Sequence, residues 1–163
     1  MIPENESVNG FLDNSNLLLL SETQGDNKKQ VLDKIKKAFR AYLDGENINL
    51  FRDLRGLDVD IPYLSTFNTR FSRSVIEWVI HNLTYGKTAS YSEIGKNINS
   101  KAYQAIGNIM RNNPFPLVIP CHRVIRKNGQ VGGFMGKTED SWQIALKKSL
   151  LAMEKNTIQK NKT

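Results

Sequence analysis

The 163-residue chain lacks several features that whole classes of protein require. It has a single cysteine and two histidines, which excludes an internal disulfide and a multi-thiolate zinc or iron–sulfur site within one chain. Its longest uncharged apolar run, Leu17 to Leu20, is far too short to cross a bilayer. The N-terminus is acidic where a secretory signal would be basic. We therefore expect a cytoplasmic protein, without a membrane partner, that carries one free thiol.

Charge is distributed unevenly along the chain, whose net charge is +7. Residues 1–85 contain 10 basic and 12 acidic side chains, a net charge of −2, whereas residues 86–163 contain 13 and 4, a net charge of +9. This asymmetry favours a polyanion, such as nucleic acid, as the partner of the C-terminal half. A solvated basic surface is the alternative, because basic patches are common.

The sequence predicts an α+β protein in which residues 1–66 form a small N-terminal support domain with a short antiparallel sheet. Residues 8–23 are typical of a hairpin with turn-forming residues at its tip. Apolar residues at helical spacing predict a helix from an Asp26 N-cap to about Leu43. Residues 54–61 predict a further strand, and no catalytic cluster is recognisable in this half.

Residues 67–155 are predicted to form a mostly helical domain, beginning with a helix over residues 69–83. Two short helical segments follow, with Ser90 and Ser100 as their N-caps, and the second ends near Asn112. Such a pair in the basic half is typical of a winged-helix-like helix-turn-helix, although many core helix pairs share the pattern. A last helix is predicted over about 140–154, followed by a disordered tail over 156–163.

The cysteine lies in a chemically suggestive context. Three prolines between residues 114 and 120 exclude a helix and predict an extended segment leading to Cys121, which His122 follows directly. A thiolate is the reactive form of cysteine, and an adjacent base can generate it. His122 could be that base and Glu154 its orienting acid, with a bend or a water relaying the proton. A lone cysteine is, however, more often an inert buried residue, and His81 is interpreted as structural.

A longer pattern separates these two interpretations of Cys121. The segment from Ile119 to Val124 resembles the active-site signature of O6-alkylguanine-DNA alkyltransferases, the methylated-DNA–protein-cysteine methyltransferases. The agreement covers more than half of the chain, keeps the same order, and is specific as a combination. It begins near Arg70 and includes residues 85–91, 105–108, 111–114, 129–133 and 150–154.

The resemblance implies single-turnover DNA repair that needs no cofactor and no metal. Double-stranded DNA carrying O6-alkylguanine would be bound through its minor groove and the damaged base flipped into a pocket; O4-alkylthymine is left open as a second substrate. Cys121 would accept the alkyl group, after His122, oriented by Glu154, has deprotonated it through a water. Tyr91 would donate a hydrogen bond to the leaving base.

The resemblance also implies the residues of the base pocket and of the DNA interface. The carbonyls of Cys121 and Val124 would accept from the exocyclic amine, Phe134 would stack on the base, and the amide of Met135 would face O6. Asn113 would hold the turn before the active-site segment, and Arg123 would support that region. The expected DNA-binding residues are Lys101, Tyr103, Gln104, Ala105, Gly107 and Arg111.

The sequence departs from the family pattern at three points. Gln104 occupies the place of a usual arginine that fills the gap left by the flipped base, so Gln104 or Tyr103 would do so here. Phe134 replaces a common tyrosine, and the absence of N-terminal cysteines excludes a zinc site found in some relatives.

A non-enzymatic alkyltransferase-like lesion sensor would usually lack Cys121. A sequence-reading transcription regulator would need a dimer, and we expect a monomer because no dimerisation stripe is visible.

Overall fold

The helices and strands follow from the positions of buried apolar residues and helix caps. The structure is a computed structural model and describes residues 27–57, 59–138 and 140–161. A short 3-10 turn, Cys121–Arg123, precedes the second strand. The elements of the described residues are α1 (Asn27–Leu43), α2 (Leu50–Arg55), α3 (Tyr63–Thr66), α4 (Arg70–Asn82), β1 (Ala89–Ser90), α5 (Tyr91–Asn97), α6 (Tyr103–Arg111), β2 (Val124–Ile125) and α7 (Trp142–Lys160).

Helix α1 forms where the sequence predicts it. Its buried residues Val31, Ile35, Phe39 and Tyr42 recur every three or four positions, so that one face of the helix enters the core while charged residues cover the other. The predicted N-cap Asp26 and the predicted hairpin over residues 8–23 lie outside the described residues.

Two capping boxes fix the beginnings of α4 and α5. The Thr69 side chain accepts from the Ser72 amide, and the Ser72 hydroxyl accepts from the Thr69 amide. Ser90 and Glu93 make the same reciprocal pair at α5, which confirms the predicted cap. Because each box satisfies two backbone groups that a helix end leaves unpaired, both helices begin at the residues where their sequence signals occur.

The turn between α5 and α6 is longer than the sequence predicts and packs closely against α5. The second helix begins at Tyr103, and its N-cap Ala102 makes no side-chain hydrogen bond. The prediction that Ser100 caps this helix is therefore wrong: its hydroxyl accepts from the amide of Ala102 within the turn. Gly95 allows this closeness, since a Cβ there would lie 2.6 Å from the carbonyl oxygen of Ser100 and 2.7 Å from the Tyr103 ring.

The sheet differs from the predicted one. Strands β1 and β2 pair in parallel, with Ala89 opposite Val124 and Ser90 opposite Ile125. A parallel pair needs a long crossover, which α5 and α6 supply. This sheet lies in the C-terminal half, whereas the antiparallel sheet was predicted for residues 1–66 and its hairpin over residues 8–23 lies outside the described residues, so the antiparallel prediction is not confirmed. The winged part of the prediction is not confirmed, because the described residues between β2 and α7 form turns and one isolated antiparallel bridge, Phe134 with Lys137, instead of a further strand.

A predicted strand over residues 54–61 is also wrong. Helix α2 occupies residues 50–55, with the Asn49 side chain accepting from the amide of Arg52 as its cap. Leu50, Phe51 and Leu54 are buried at helical spacing, which a strand would place on alternating faces. The predicted range includes only Leu54 of these three residues and therefore misses the helical spacing.

The last helix is longer than predicted, and residues 156–160 are helical where the sequence predicts disorder. Contacts with the N-terminal half hold this extension. The Thr157 hydroxyl donates to the Gly45 carbonyl at 3.0 Å, and Ile158 packs against the core beside Gly86. Among the described helices, none has both the length and the apolarity that a membrane crossing requires.

Candidate active site

The single cysteine lies at the wall of a cavity. Cys121 opens the 3-10 turn that follows Pro120, so the chain bends at the point where an extended segment was predicted. Its side chain is buried and lines a cavity of about 680 Å³. Burial raises the pKa of the thiol, while a hydrogen bond from Asn113 Nδ2 to Sγ at 3.1 Å and the charge of Lys147 oppose that rise. The resting form is therefore the thiol.

The predicted base and its orienting acid are in direct contact. His122 is fully buried, and its Nε2 lies 3.0 Å from Oε1 of Glu154. Burial lowers the pKa of the imidazole, and the neighbouring carboxylate only partly offsets this. The ring is therefore neutral at neutral pH and able to accept a proton. Its Nδ1 is buried and has no hydrogen-bond partner among the described residues.

Glu154 is the charged centre of this cluster. It accepts from Arg123 Nη2 at 2.7 Å, from Arg123 Nε at 3.0 Å and from the amide of Gly86 at 3.0 Å. Burial by itself would raise the pKa of the carboxyl, but the hydrogen bonds from His122 and Arg123 outweigh it and hold the pKa far below its usual range. Glu154 therefore remains ionised beside the imidazole.

Tyr42 belongs to the same cluster, and the sequence analysis missed it. Its hydroxyl donates to Glu154 Oε1 at 2.5 Å and lies 3.0 Å from His122 Nε2. Burial, followed by the charge and hydrogen bond of Glu154, raises the pKa of this phenol strongly. Tyr42 sits in the apolar stripe of α1, and a buried tyrosine hydroxyl usually has a polar partner; that was the available signal.

Lys147 is a second functional candidate that the sequence did not reveal. Its side chain is completely buried on α7, and Nζ donates to the carbonyls of Val124 at 2.6 Å and Gly133 at 3.0 Å. Burial lowers the pKa of Lys147 to about 8, with Cys121 acting in the opposite direction. One acceptor position of the Val124 carbonyl is therefore already in use.

The remaining pocket residues line the cavity from two sides. Tyr91 faces it from the start of α5, and burial, with Cys121 as the second cause, raises the pKa of its phenol, so the hydroxyl stays a donor. Phe134 is buried and also lines the cavity. Met135 is not among the lining residues: it lies in a tight turn whose backbone is left-handed at φ 46° and which is closed by hydrogen bonds between Phe134 and Lys137.

Asn113 and Arg123 connect the site to its surroundings. Asn113 Nδ2 also donates to the Ile119 carbonyl at 3.0 Å, and its Oδ1 accepts from the Phe115 amide at 3.0 Å. These bonds tie the end of α6 to the segment before the cysteine. Arg123 Nη1 donates to the Leu83 carbonyl at 2.7 Å, at the end of α4.

The predicted DNA-binding residues divide into two groups. Gln104, Gly107 and Arg111 line the cavity. Lys101, Tyr103 and Ala105 do not: Lys101 is exposed in the turn, Ala105 is half-buried, and the Tyr103 ring lies over Gly95 with 43% of the residue exposed. Two cations that were not predicted at this site, Arg126 and Lys137, line the cavity as well.

A comparison with known proteins identifies the family. The family model described as the DNA-binding domain of 6-O-methylguanine DNA methyltransferase matches residues 70–156, which is more than half of the chain. The chain belongs to this methyltransferase family.

Relatives in sequence and in structure carry consistent names. The methylated-DNA–protein-cysteine methyltransferase of Methanothermobacter thermautotrophicus is 39% identical over 118 residues, which are 72% of this chain and 61% of that protein. That of Archaeoglobus fulgidus is 35% identical over 113 residues, 69% and 68% of the two chains. The crystal structure of Mycobacterium tuberculosis O6-methylguanine methyltransferase superposes with a TM-score of 0.57 at 26% identity, covering 85% of this chain and 78% of that one.

The extent of the methyltransferase match bears on the cluster around Glu154. Cys121, His122 and Glu154 all lie within the matched residues 70–156. Tyr42 lies before them, on α1, so that a residue outside the matched range donates a hydrogen bond to Glu154 within it.

Proposed function

We propose that this methyltransferase-family protein repairs DNA by moving the alkyl group of O6-alkylguanine to Sγ of Cys121. The observation that carries the proposal is the position of the thiol. Cys121 lines a cavity that the recognition-type helix α6 also borders, and the next residue is a buried neutral imidazole held by a carboxylate. Nucleophile, base and orienting acid are thereby combined at one cavity wall.

The transfer follows as a single displacement. The thiol proton passes through a water to His122 as sulfur attacks the alkyl carbon. The S–C bond forms while the C–O6 bond breaks, and its electron pair remains on the guanine. The protonated Tyr91 hydroxyl donates to the ring as that charge develops. The product is a thioether at Cys121, and because the S–C bond of a thioether is stable in water, each protein molecule reacts once.

The same cavity supports base flipping from the DNA minor groove. The base must leave the helix to reach a buried sulfur, and the cavity volume of about 680 Å³ accommodates it. Arg111, Arg126 and Lys137 line the cavity and would meet phosphates flanking the flipped nucleotide. Gln104, which also lines it, is the residue we assign to the gap in the duplex, because the Tyr103 ring is packed over Gly95.

A labelled-transfer experiment tests the proposal. The protein is incubated with duplex DNA containing O6-methylguanine labelled in its methyl group, and label is counted on DNA and on protein. We expect label to move to the wild-type protein and to remain on the DNA with Cys121→Ser, which preserves the size of the side chain. Tight binding to the methylated duplex without transfer would contradict the proposal and identify a lesion sensor instead.

A further inference from the structure

The hydroxyl of Tyr42 completes a triangle of hydrogen-bonding atoms with Glu154 and His122. It lies 2.5 Å from Glu154 Oε1 and 3.0 Å from His122 Nε2, and these two atoms are themselves 3.0 Å apart. We propose that Tyr42 is a positioning residue that holds His122 with its proton on Nε2. The Nδ1 atom would then be the one that takes the thiol proton, and this inference rests on the transfer reaction proposed above.

A count of protons around Nε2 supports this assignment. Glu154 is ionised and can only accept. The single proton of the Tyr42 hydroxyl is used in the short bond to Glu154 Oε1, so the Tyr42 oxygen presents a lone pair toward the imidazole. Nε2 therefore faces two acceptors and must carry a hydrogen. The neutral ring then has its lone pair on Nδ1, the nitrogen without a partner among the described residues.

The attachment of α1 fixes the position of Tyr42. Gly45, three residues further along the chain, accepts through its carbonyl from the Thr157 hydroxyl at 3.0 Å and from the Tyr85 hydroxyl at 3.2 Å. The Tyr42 and Tyr85 rings meet edge to face at 5.8 Å. Residues of α7 and of the loop after α4 thus clamp the end of α1, which places the Tyr42 oxygen at a defined point beside Glu154.

Tyr42 also limits how strongly Glu154 favours a charged imidazole. The groups that act on the His122 ring are Glu154 and Lys147 of α7, the adjacent Arg123, and Tyr42 of α1. Of these, the carboxylate of Glu154 is the charged group that stabilises the imidazolium, whereas the neutral Tyr42 oxygen is a weaker acceptor. Because Tyr42 donates to the same oxygen, it takes up part of that carboxylate's hydrogen-bonding capacity. Removing the hydroxyl should therefore raise the pKa of His122.

The Tyr42→Phe variant tests the assignment, with Tyr63→Phe as its matched control. Both changes delete one hydroxyl from a ring that packs edge to face on another aromatic residue, Tyr85 for Tyr42 and Phe51 for Tyr63, but it is the Tyr42 hydroxyl that contacts Glu154 and His122. The acid limb of the transfer rate should move to higher pH by about one unit in Tyr42→Phe. At a pH well below the His122 pKa of both proteins the rate should therefore fall about tenfold. Tyr63→Phe should keep the wild-type profile.

Nitrogen NMR of ¹⁵N-histidine protein gives a readout that needs no DNA. The chain has only two histidines, and His81 is an internal reference, because its Nδ1 lies 2.7 Å from the Glu77 carbonyl and must carry the proton. We expect the opposite tautomer for His122 in the wild type, and a raised pKa for it in Tyr42→Phe.

Two outcomes would overturn the assignment. One is a wild-type His122 protonated on Nδ1, which remains measurable if Tyr42→Phe fails to fold. The other is a folded Tyr42→Phe whose His122 signals and transfer profile match the wild type. Failure of the wild type to accept a methyl group would instead contradict the proposed function, and it would leave the tautomer measurement unaffected.

Discussion

Lys147 is completely buried, yet its ammonium group is satisfied by two backbone carbonyls, those of Val124 and Gly133. Those carbonyls belong to the strand after the nucleophile and to the glycine loop of the cavity wall. The lysine therefore links β2 to the glycine loop that lines the cavity. Burial disfavours the charged form of the lysine and therefore lowers its pKa to about 8.

This lowered pKa predicts an unusual pH dependence of stability. Between pH 8 and the ordinary lysine value of 10.5, the unfolded chain holds more protons than the folded one, so the free energy of unfolding should rise with pH in that window. The full gain is on the order of 3 kcal/mol. Urea unfolding at several pH values should show this rise for the wild type relative to Lys147→Met.

The adjacent exposed lysine provides the control for that measurement. Lys148→Met makes the same chemical change on the same helix, at a side chain that is 59% exposed, and its pH profile should follow the wild type. A wild-type profile parallel to that of Lys147→Met from pH 8 to 10.5 would contradict a buried charged lysine.

Gly136 is a residue at which backbone conformation alone should decide the effect of a substitution. Its φ is +80°, while an added Cβ would meet nothing closer than Arg111 Nε at 3.8 Å. Gly136→Ala should thus cost about 1–2 kcal/mol of folding free energy through left-handed strain. Gly56 has a φ of −65°, and Gly56→Ala should stay within about 0.5 kcal/mol of the wild type. Equal effects of the two changes on urea unfolding would disprove the strain.

At the scale of elements, two glycines in the helix-turn-helix predict opposite effects. A Cβ on Gly95 would lie 2.6 Å from the Ser100 carbonyl, which is backbone, so Gly95→Ala must displace the turn; we expect a loss of about 1–3 kcal/mol. A Cβ on Gly107 would lie 3.9 Å from Tyr91, and because glycine weakens a helix interior, Gly107→Ala should gain about 0.5–1 kcal/mol. Thermal unfolding of both variants checks this, and a stable Gly95→Ala would contradict the close packing.

Elements whose signals are local were predictable from the sequence. The capping box of Ser90 and Glu93 and the apolar stripe of α1 depend on residues three or four positions apart, which a sequence shows directly. The end of α7 was not predictable, because residues 156–160 are ordered by contacts such as that of Thr157 with Gly45, 112 positions away. The cap at Asn49 is also a local signal, but the strand predicted over residues 54–61 overlaps only the end of the helix that this cap begins.

The candidate site divides in the same way. Cys121 and His122 are adjacent in sequence, and Glu154 could be selected through the resemblance. Tyr42 and Lys147 could not, since a tyrosine in an apolar stripe and a lysine on a helix look like ordinary core and surface residues until the fold places their polar atoms. The partners that set the pKa of a buried group come from distant parts of the chain.

At the scale of the whole molecule, part of the positive charge of the C-terminal half lies around the cavity. Cations in the C-terminal half, among them Arg111, Arg126 and Lys137, line the cavity beside α6, where phosphates would approach. Binding to undamaged duplex DNA should therefore weaken steeply with salt. Arg111→Gln should reduce the slope of log affinity against log salt by about 0.9, the value for one phosphate contact.

A lysine on the opposite half supplies the comparison for the salt titration. Lys37 is exposed on α1, away from the cavity, and Lys37→Gln should leave the slope unchanged. Fluorescence anisotropy with a labelled undamaged duplex gives both slopes. A wild-type affinity that is flat between low and moderate salt would exclude phosphate contacts at this face.

The proposed repair reaction depends most on Cys121 as a nucleophile that is used once. Its most direct test is mass spectrometry of the protein after reaction with excess duplex DNA containing O6-methylguanine. We predict that each molecule gains the mass of one methylene and no more, that the added mass maps to the peptide containing Cys121, and that guanine is restored in equal amount. An unmodified Cys121 after prolonged incubation, or guanine formed in excess over protein, would contradict the account.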